Sequence, residues 1–362
     1  MSRNACSLGR VLVGLLALAG APATVAAQAF AVAIESDHIL DLAFSLDGKF
    51  IVGAGFKHKV RVWNAKTGEL VHKLGGDAGP SKITRAVAFS PDSKFVAAGG
   101  DDGIVRIWEL ATGKVVLAWI GHGAMISSVA FSPDGKHLAA GSTTMENQGV
   151  SYRSHVKLWE FGPGKEGRSF KCGTEHYPAV AFSPDSKMLA VAEGSVKLWN
   201  VANGELRREW SAERGKVLHV AFSADGKTLA GGGGDWVPQG GGTVQIAHAW
   251  IWDAETGKLR RSFDDLNTWL RAIALAIDGT RLATGCCGKE KSEGARSWIP
   301  SELKLWDTAS GKELWALHGG PGDVHALAIS PDGGTIVYAD GEYVRLVNAK
   351  DGSVAKVLMS VR

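Results

Sequence analysis

"VAFSPDGKHLAAGS" (Val129–Ser142) joins an apolar rise to a second apolar rise, ending in small residues, through the turn Ser132-Pro133-Asp134-Gly135. Proline presets φ at the second turn position, aspartate tolerates the third, and glycine supplies a positive φ after it. In isolation Asp134 also reads as a reactive carboxylate in a tight loop. The rest of the chain decides between the two, because the pattern recurs. It returns as "LAFSLDGKFIVGAG" from Leu42, "VAFSPDSKFVAAGG" from Val87, "VAFSPDSKMLAVAE" from Val180 and "VAFSADGKTLAGGG" from Val220. Weaker copies are "IALAIDGTRLATGC" from Ile273 and "LAISPDGGTIVYAD" from Leu327. A residue kept in every copy of an internal repeat serves the geometry of the repeat. Asp47, Asp92, Asp134, Asp185, Asp225, Asp278 and Asp332 are therefore turn residues.

Each copy has a second fixed point, a strand closing on tryptophan and a polar residue. These are "VRVWN" (Val60–Asn64), "VRIWE" (Val105–Glu109), "VKLWE" (Val156–Glu160), "VKLWN" (Val196–Asn200), "AWIWD" (Ala249–Asp253) and "LKLWD" (Leu303–Asp307). "VRLVN" (Val344–Asn348) completes the set with valine in place of tryptophan. A turn such as "TASGK" (Thr308–Lys312) follows, then a fourth short strand such as "GKVVLAW" (Gly113–Trp119). The Phe-Ser-Pro-Asp-Gly turn paired with a Trp-Asp-like strand end resembles the WD40 repeat family, over essentially the whole chain after its first residues. The resemblance implies an all-β, seven-bladed β-propeller of four-stranded antiparallel blades around a central channel. It also implies a non-catalytic platform for binding other proteins.

The residues agree with that implication on physical grounds. Second strands such as "VAAGG" and "LAGGG" carry the small side chains that converging blades require near the axis. Trp63, Trp108, Trp159, Trp199, Trp252 and Trp306 fall farther out, where the gaps between blades widen. Each such aromatic buries roughly 150–250 Å², worth about 4–6 kcal/mol gross at ~25 cal/mol/Å². The seventh seam, at Val347, is expected to be the weakest. The Gly-His pair that opens many WD40 units is clear only at Gly121-His122. Ring closure has two candidates, "AFAVAIE" (Ala29–Glu35) and "SVAKVLM" (Ser353–Met359).

The repeat overrides the two-domain expectation that 362 residues alone would give. Arg3 and Arg10 flank the apolar run "VLVGLLALAGA" (Val11–Ala21), and "VAA" (Val25–Ala27) supplies small residues ahead of Gln28. That is the pattern of a cleaved signal peptide over residues 1–27, with the propeller over 28–362 and a secreted or periplasmic destination. The run is short of the ~20 apolar residues that span a bilayer, so no stable membrane span is expected. Without the two arginines, 38 basic residues face 37 acidic ones, which argues against a nucleic-acid partner. Cys172, Cys286 and Cys287 form no disulfide framework and no spaced zinc or haem motif.

Loops between second and third strands are short in blades 1, 2, 4 and 7. They are long in blade 3 (Ser142–His155), blade 5 (Gly232–Ala249) and blade 6 (Cys286–Glu302). Insertions on one face of a repeat protein mark its binding face. Tyr152, Arg153, Trp236, Arg296 and Trp298 are the candidate partner-binding residues there, aromatics and arginines being common interface anchors. The competing reading pins Trp236 and Trp298 to the disc as loop anchors. The alternative function is an enzyme or small-molecule binder at the channel mouth. Its sharpest form rests on Cys286-Cys287, since quinone-dependent propeller dehydrogenases carry a vicinal disulfide beside pyrroloquinoline quinone. "DTASGKELW" (Asp307–Trp315) resembles their docking turn, but only once, where that family repeats it. Serine-hydrolase, zinc-protease and P-loop motifs are missing, and His155, His219, His248 and His325 are scattered along the chain. No catalytic residue, cofactor or metal is therefore assigned, and the chain is expected to act as a monomer.

Overall fold

The computed structural model describes residues 38–56, 60–75, 83–120, 124–146, 151–162, 165–173, 177–239, 242–264, 266, 269–290, 298–318, 323–341 and 343–359. At 145–146, 151–152, 171, 236, 238–239, 242–245, 289–290, 298–299 and 359 it describes the backbone alone. The segment read as a signal peptide, the closing-strand candidate 29–35, the 121–122 pair and Arg296 lie outside these residues.

The described residues form seven four-stranded antiparallel sheets, one per repeat, each in sequence order from inner to outer strand. A two-stranded ladder, Lys289–Glu290 with Trp298–Ile299, is inserted in the sixth repeat. No described residue is helical, so no described helix is long and apolar enough to cross a membrane. The inner strands are Ile39–Phe44, Thr84–Phe89, Met125–Phe131, Ala179–Phe182, Lys216–Phe222, Leu270–Leu275 and Val324–Ile329. Each packs beside the next around a ring, and the seventh packs beside the first. The fold is a seven-bladed β-propeller.

The repeated turn explains why every inner strand hands over to its second strand in the same way. Ser132 Oγ donates to Asp134 Oδ1 at 2.6 Å, while Lys136 N donates to the same oxygen at 3.1 Å. Ser45–Asp47, Ser90–Asp92, Ser183–Asp185 and Ser223–Asp225 repeat the bond at 2.6 Å, and Ser330–Asp332 at 2.5 Å. In the sixth blade, which has no serine there, Thr280 supplies Oγ1 to Asp278 at 2.8 Å. The residue after the aspartate has positive φ in all seven turns, and in two of them it is serine, Ser93 at 58° and Ser186 at 60°. The left-handed region is costly for a side chain. Here the serine hydroxyls accept from a neighbouring turn, Ser186 Oγ from Asp134 N at 3.0 Å and Ser93 Oγ from Asp47 N at 3.4 Å.

Seven apolar clusters occupy the seven seams, and in each the third-strand residue faces the preceding blade. Trp63 closes the ring against Val337, Ala339 and Leu358 of blade 7. Trp108 meets blade 1, Trp159 stacks on Trp119 at 5.3 Å, and Trp306 lies 5.3 Å from Phe263. Trp252 packs between Trp250 and Trp210, with ring centroids 5.6 and 6.2 Å away. Such a ring leaves room for nothing on the strand beneath it. A Cβ on Gly231 would stand 2.3 Å from Trp252, and one on Gly232 would stand 2.6 Å from Leu270 of the next blade. These contacts account for the small residues of the second strands.

Two expectations need correction. Trp199 is only half-buried against Phe170, not sealed between blades like the other five. Val347 is fully buried, and its seam is reinforced by Trp315, whose Nε1 donates to Ala349 O at 3.0 Å. The valine seam therefore has its own aromatic, supplied by the outer strand of blade 6. Val354–Met359 is the outer strand of blade 7, which settles its place among the described residues. Lys356 Nζ crosses the closing seam to Lys66 O at 2.7 Å.

Candidate functional site

The described parts of the three insertions include paired strands. In blade 5 the second and third strands run twelve residues each, Thr228–Gln239 and Gly242–Asp253, and pair to the tip at Gln239 and Gly242. The inner strand begins at Lys216, opposite Gly234, so the five residues beyond Gly234 rise past it by about 17 Å at ~3.4 Å per residue. In blade 3, His137–Glu146 pairs with Ser151–Glu160, passing the inner-strand start opposite Thr143 by three residues. The small ladder of blade 6 likewise lies past Cys286, which stands opposite the inner-strand start at Leu270. All three extensions therefore project from the end at which the inner strands begin.

Of the sequence-derived candidates, Arg153 is exposed on the blade 3 extension, opposite Thr144. The backbones of Tyr152, Trp236 and Trp298 lie in the three extensions, opposite Met145, Gln245 and Glu290. Their side chains and the whole of Arg296 lie outside what the structure describes. On the blade 5 extension, Val237 and Ile246 share one face by register and are 36% and 37% exposed.

The same end of the ring opens into a cavity of about 400 Å³ that the scattered histidines did not foretell. Each blade contributes the start of its inner strand: Leu40, Arg85, Ser127, Tyr177, His219, Arg271 with Trp269, and His325. Arg85 pairs with Asp101 and lies 5.9 Å from the Tyr177 ring centre. Arg271 lies 4.3 Å over the Trp269 ring, and its Nε donates to Cys287 Sγ at 3.0 Å. Among the described residues no carboxylate pairs with Arg271. Burial and the Arg271 charge pull His219 down to about 4. Burial first and Arg271 second do the same to His325, to about 4 as well, although Asp323 opposes them. Both imidazoles are thus neutral at physiological pH. His325 also lies edge-on to His38, with centroids 5.8 Å apart.

His219 and His325 are thereby brought together, whereas His248 bonds Asp264 at 2.8 Å in blade 5 and His155 lies in the third strand of blade 3. The mouth residues could have been found by aligning the repeats on the triplet before each turn. Two positions ahead of it stand Leu40, Arg85, Ser127, Pro178, Leu218, Arg271 and His325, a column of five residue types among seven blades. The next column holds Asp41, Ser128 and His219 among four alanines, and the first two of these stitch seams. Asp41 Oδ2 accepts from Val87 N at 2.8 Å, and Ser128 Oγ donates to Pro178 O at 2.7 Å.

The cysteine pair does not support the quinone reading. No disulfide joins Cys172, Cys286 or Cys287 in the described structure, and burial pushes Cys287 up to about 12. Trp315 of the would-be docking turn instead serves the seam between blades 6 and 7. No group of three or more His, Cys, Asp or Glu side chains among the described residues is arranged to hold a metal ion. A depression of about 730 Å³ between blades 4 and 5 is lined by residues of both charge signs. Its Asp185 and Asp225 are already bonded within their turns.

The WD domain, G-beta repeat family matches residues 32–64, 68–109, 113–160 and 167–200. Each match ends on the polar residue after a third-strand tryptophan, at Asn64, Glu109, Glu160 and Asn200. Together with the seven blades, these matches support placing the chain with the WD40 repeat family. No curated protein matches the chain.

Proposed function

We propose that this propeller is a protein-interaction platform, and that it binds through the face bearing the three strand extensions and the channel mouth. The observation that carries the reading is the convergence on one end of the ring of the two features that depart from the repeat. Extended hairpins widen that face, and arginine–aromatic pairs, Arg85 with Tyr177 and Arg271 with Trp269, line its centre. Arginine and aromatic groups are the side chains that most often anchor interfaces. Propellers of the WD40 family commonly serve as rigid binding discs, in keeping with this assignment.

The test is a pull-down from the native host, comparing the full chain with a variant whose blade 5 extension is cut back to Gly234 and Ala247 and rejoined by an Asn-Gly turn. Loss of captured proteins at unchanged melting temperature supports the platform. Unchanged capture by that variant and by one with the blade 3 extension similarly cut would defeat it. We further propose that the protein is exported after cleavage near Gln28, on the strength of the Arg-flanked apolar run. Mass spectrometry of the native protein should find an N-terminus there, and an intact Met1 or Ser2 start would refute export by this route.

A further inference from the structure

The channel mouth has more positive charge than its own acids answer. Arg85 is neutralised by Asp101, but Arg271 spends its Nε on a thiol that burial keeps protonated. The Trp269 ring and the Cys287 thiol together position the guanidinium at the wall of a 400 Å³ cavity, with its terminal nitrogens as a two-donor fork. Asp323, which faces Cys287 and His325, has its Oδ1 accepting from Gly288 N at 3.0 Å. Around the fork stand imidazoles rather than ammonium groups. His219 faces Arg271, while His325 faces Arg271, Asp323 and His38. His38 Nδ1 is buried without a hydrogen-bond partner. A neutral imidazole can donate one N–H, or accept a proton outright, when a negative charge arrives.

We propose that the channel mouth is a carboxylate seat, taking a glutamate or aspartate side chain of an acidic peptide segment on the Arg271 fork. A cation entering the cavity would meet two guanidiniums. An apolar side chain would strip water from Arg271 and leave it unpaired, a costly arrangement. A carboxylate instead completes a bidentate, charge-assisted pair inside a partly enclosed site, where such pairs are strongest. Its arrival offsets the Arg271 field, so His219 and His325 become easier to protonate. The identity of the ligand as a peptide rests on the platform reading; the seat itself rests on the geometry.

The experiment uses the full chain and the probe peptide acetyl-Glu-Glu-Glu-amide, with acetyl-Gln-Gln-Gln-amide as control, followed through the imidazole signals of His219 and His325 by NMR across pH. The glutamate peptide should move both signals and raise both titration midpoints, while the glutamine peptide leaves them in place. Arg271→Met should weaken the glutamate peptide by about tenfold or more, as loss of a charged hydrogen-bonded pair does. Arg271→Lys, which keeps the charge and loses the fork, should retain part of the binding and guards against a folding defect in the first variant. Equal response to both peptides, no response to either, or full binding by Arg271→Met would overturn the seat. The hairpin-shortened variant separates the two proposals. If it loses protein capture while neither peptide binds, the platform stands without the seat; if the glutamate peptide binds while capture is unaffected, the seat stands and the platform falls.

Discussion

The two ends of the channel are made by the same seven strands and have opposite chemistry. At the turn end, the strands finish in Phe44, Phe89, Phe131 and their counterparts, and the opening is lined by Leu46, Pro91, Pro133, Ile277 and Pro331. There the blades agree with one another almost residue for residue. At the other end they begin in a column of five residue types, and arginine, histidine and tryptophan meet in one cavity. Where seven copies agree, the residue answers to the geometry of the blade. Where they diverge within a preserved backbone, each residue is freed from that duty, and individual chemistry collects there. Stability should therefore depend on the repeated columns and binding on the divergent one.

The largest effect belongs to a repeated column away from either opening. Trp252→Ala should lower unfolding free energy by roughly 3–5 kcal/mol in a urea titration, the usual cost of removing a buried aromatic. Trp199→Ala, at a half-buried site beside Phe170, should cost about 2 kcal/mol or less, because less area leaves water there. Equal losses at the two sites would mean that the seams share load in a way that burial does not describe.

Asp41 tests the column next to the mouth. Burial pushes its carboxyl up from 3.8 to about 7, although two backbone N–H groups favour the charged form. The folded chain then holds this proton more tightly than the unfolded chain does. Stability from this group is thus complete below about pH 4 and declines as pH rises to about 7, by an amount on the order of a few kcal/mol. Asp41→Asn should flatten that part of the stability–pH curve. A slope unchanged by the substitution would assign the pH dependence to another group.

The turn end can be probed more gently. Asp134→Ala removes the acceptor for Ser132 Oγ and Lys136 N in an exposed turn. It should cost about 1–2 kcal/mol, the worth of one or two hydrogen bonds, with binding unaffected. A loss of binding here would mean that the turn end also carries function, and the contrast between the ends would fail.

How far the molecule was legible follows the same division. Asp134 and its six counterparts, the tryptophans and the small second-strand residues announced blade number and seam contents, because each recurs where the geometry recurs. The family matches stop after Asn200 for a matching reason. Blade 5 stretches its strands to twelve residues, blade 6 inserts a ladder, and blade 7 has Val347 for tryptophan. The extensions read as loops from the sequence because glycine runs at 231–234 and 240–242 flank the blade 5 insertion. In the fold, glycines 231–234 lie in the strand, where Gly231 and Gly232 make room for Trp252 and Leu270. The mouth stayed hidden because its residues are far apart in sequence and their column is mixed in residue type.

The smallest expected stability effect tests the contrast most sharply. The blade 5 extension beyond Gly234 is a two-stranded ladder with Val237 and Ile246 exposed on one face and no inner strand beside it. A two-stranded ladder standing alone adds little to stability, so trimming it should shift the melting temperature by no more than about 2 °C, the scale of a change under 1 kcal/mol in a chain of this size. Capture of partners should fall markedly, because Val237, Ile246 and the backbone of Trp236 leave the binding face together. A sharp drop in melting temperature with capture intact would make the extension a structural lid over blade 5. The divergent end would then contribute to the fold, and divergence among repeats would lose its value as a guide to where this protein binds.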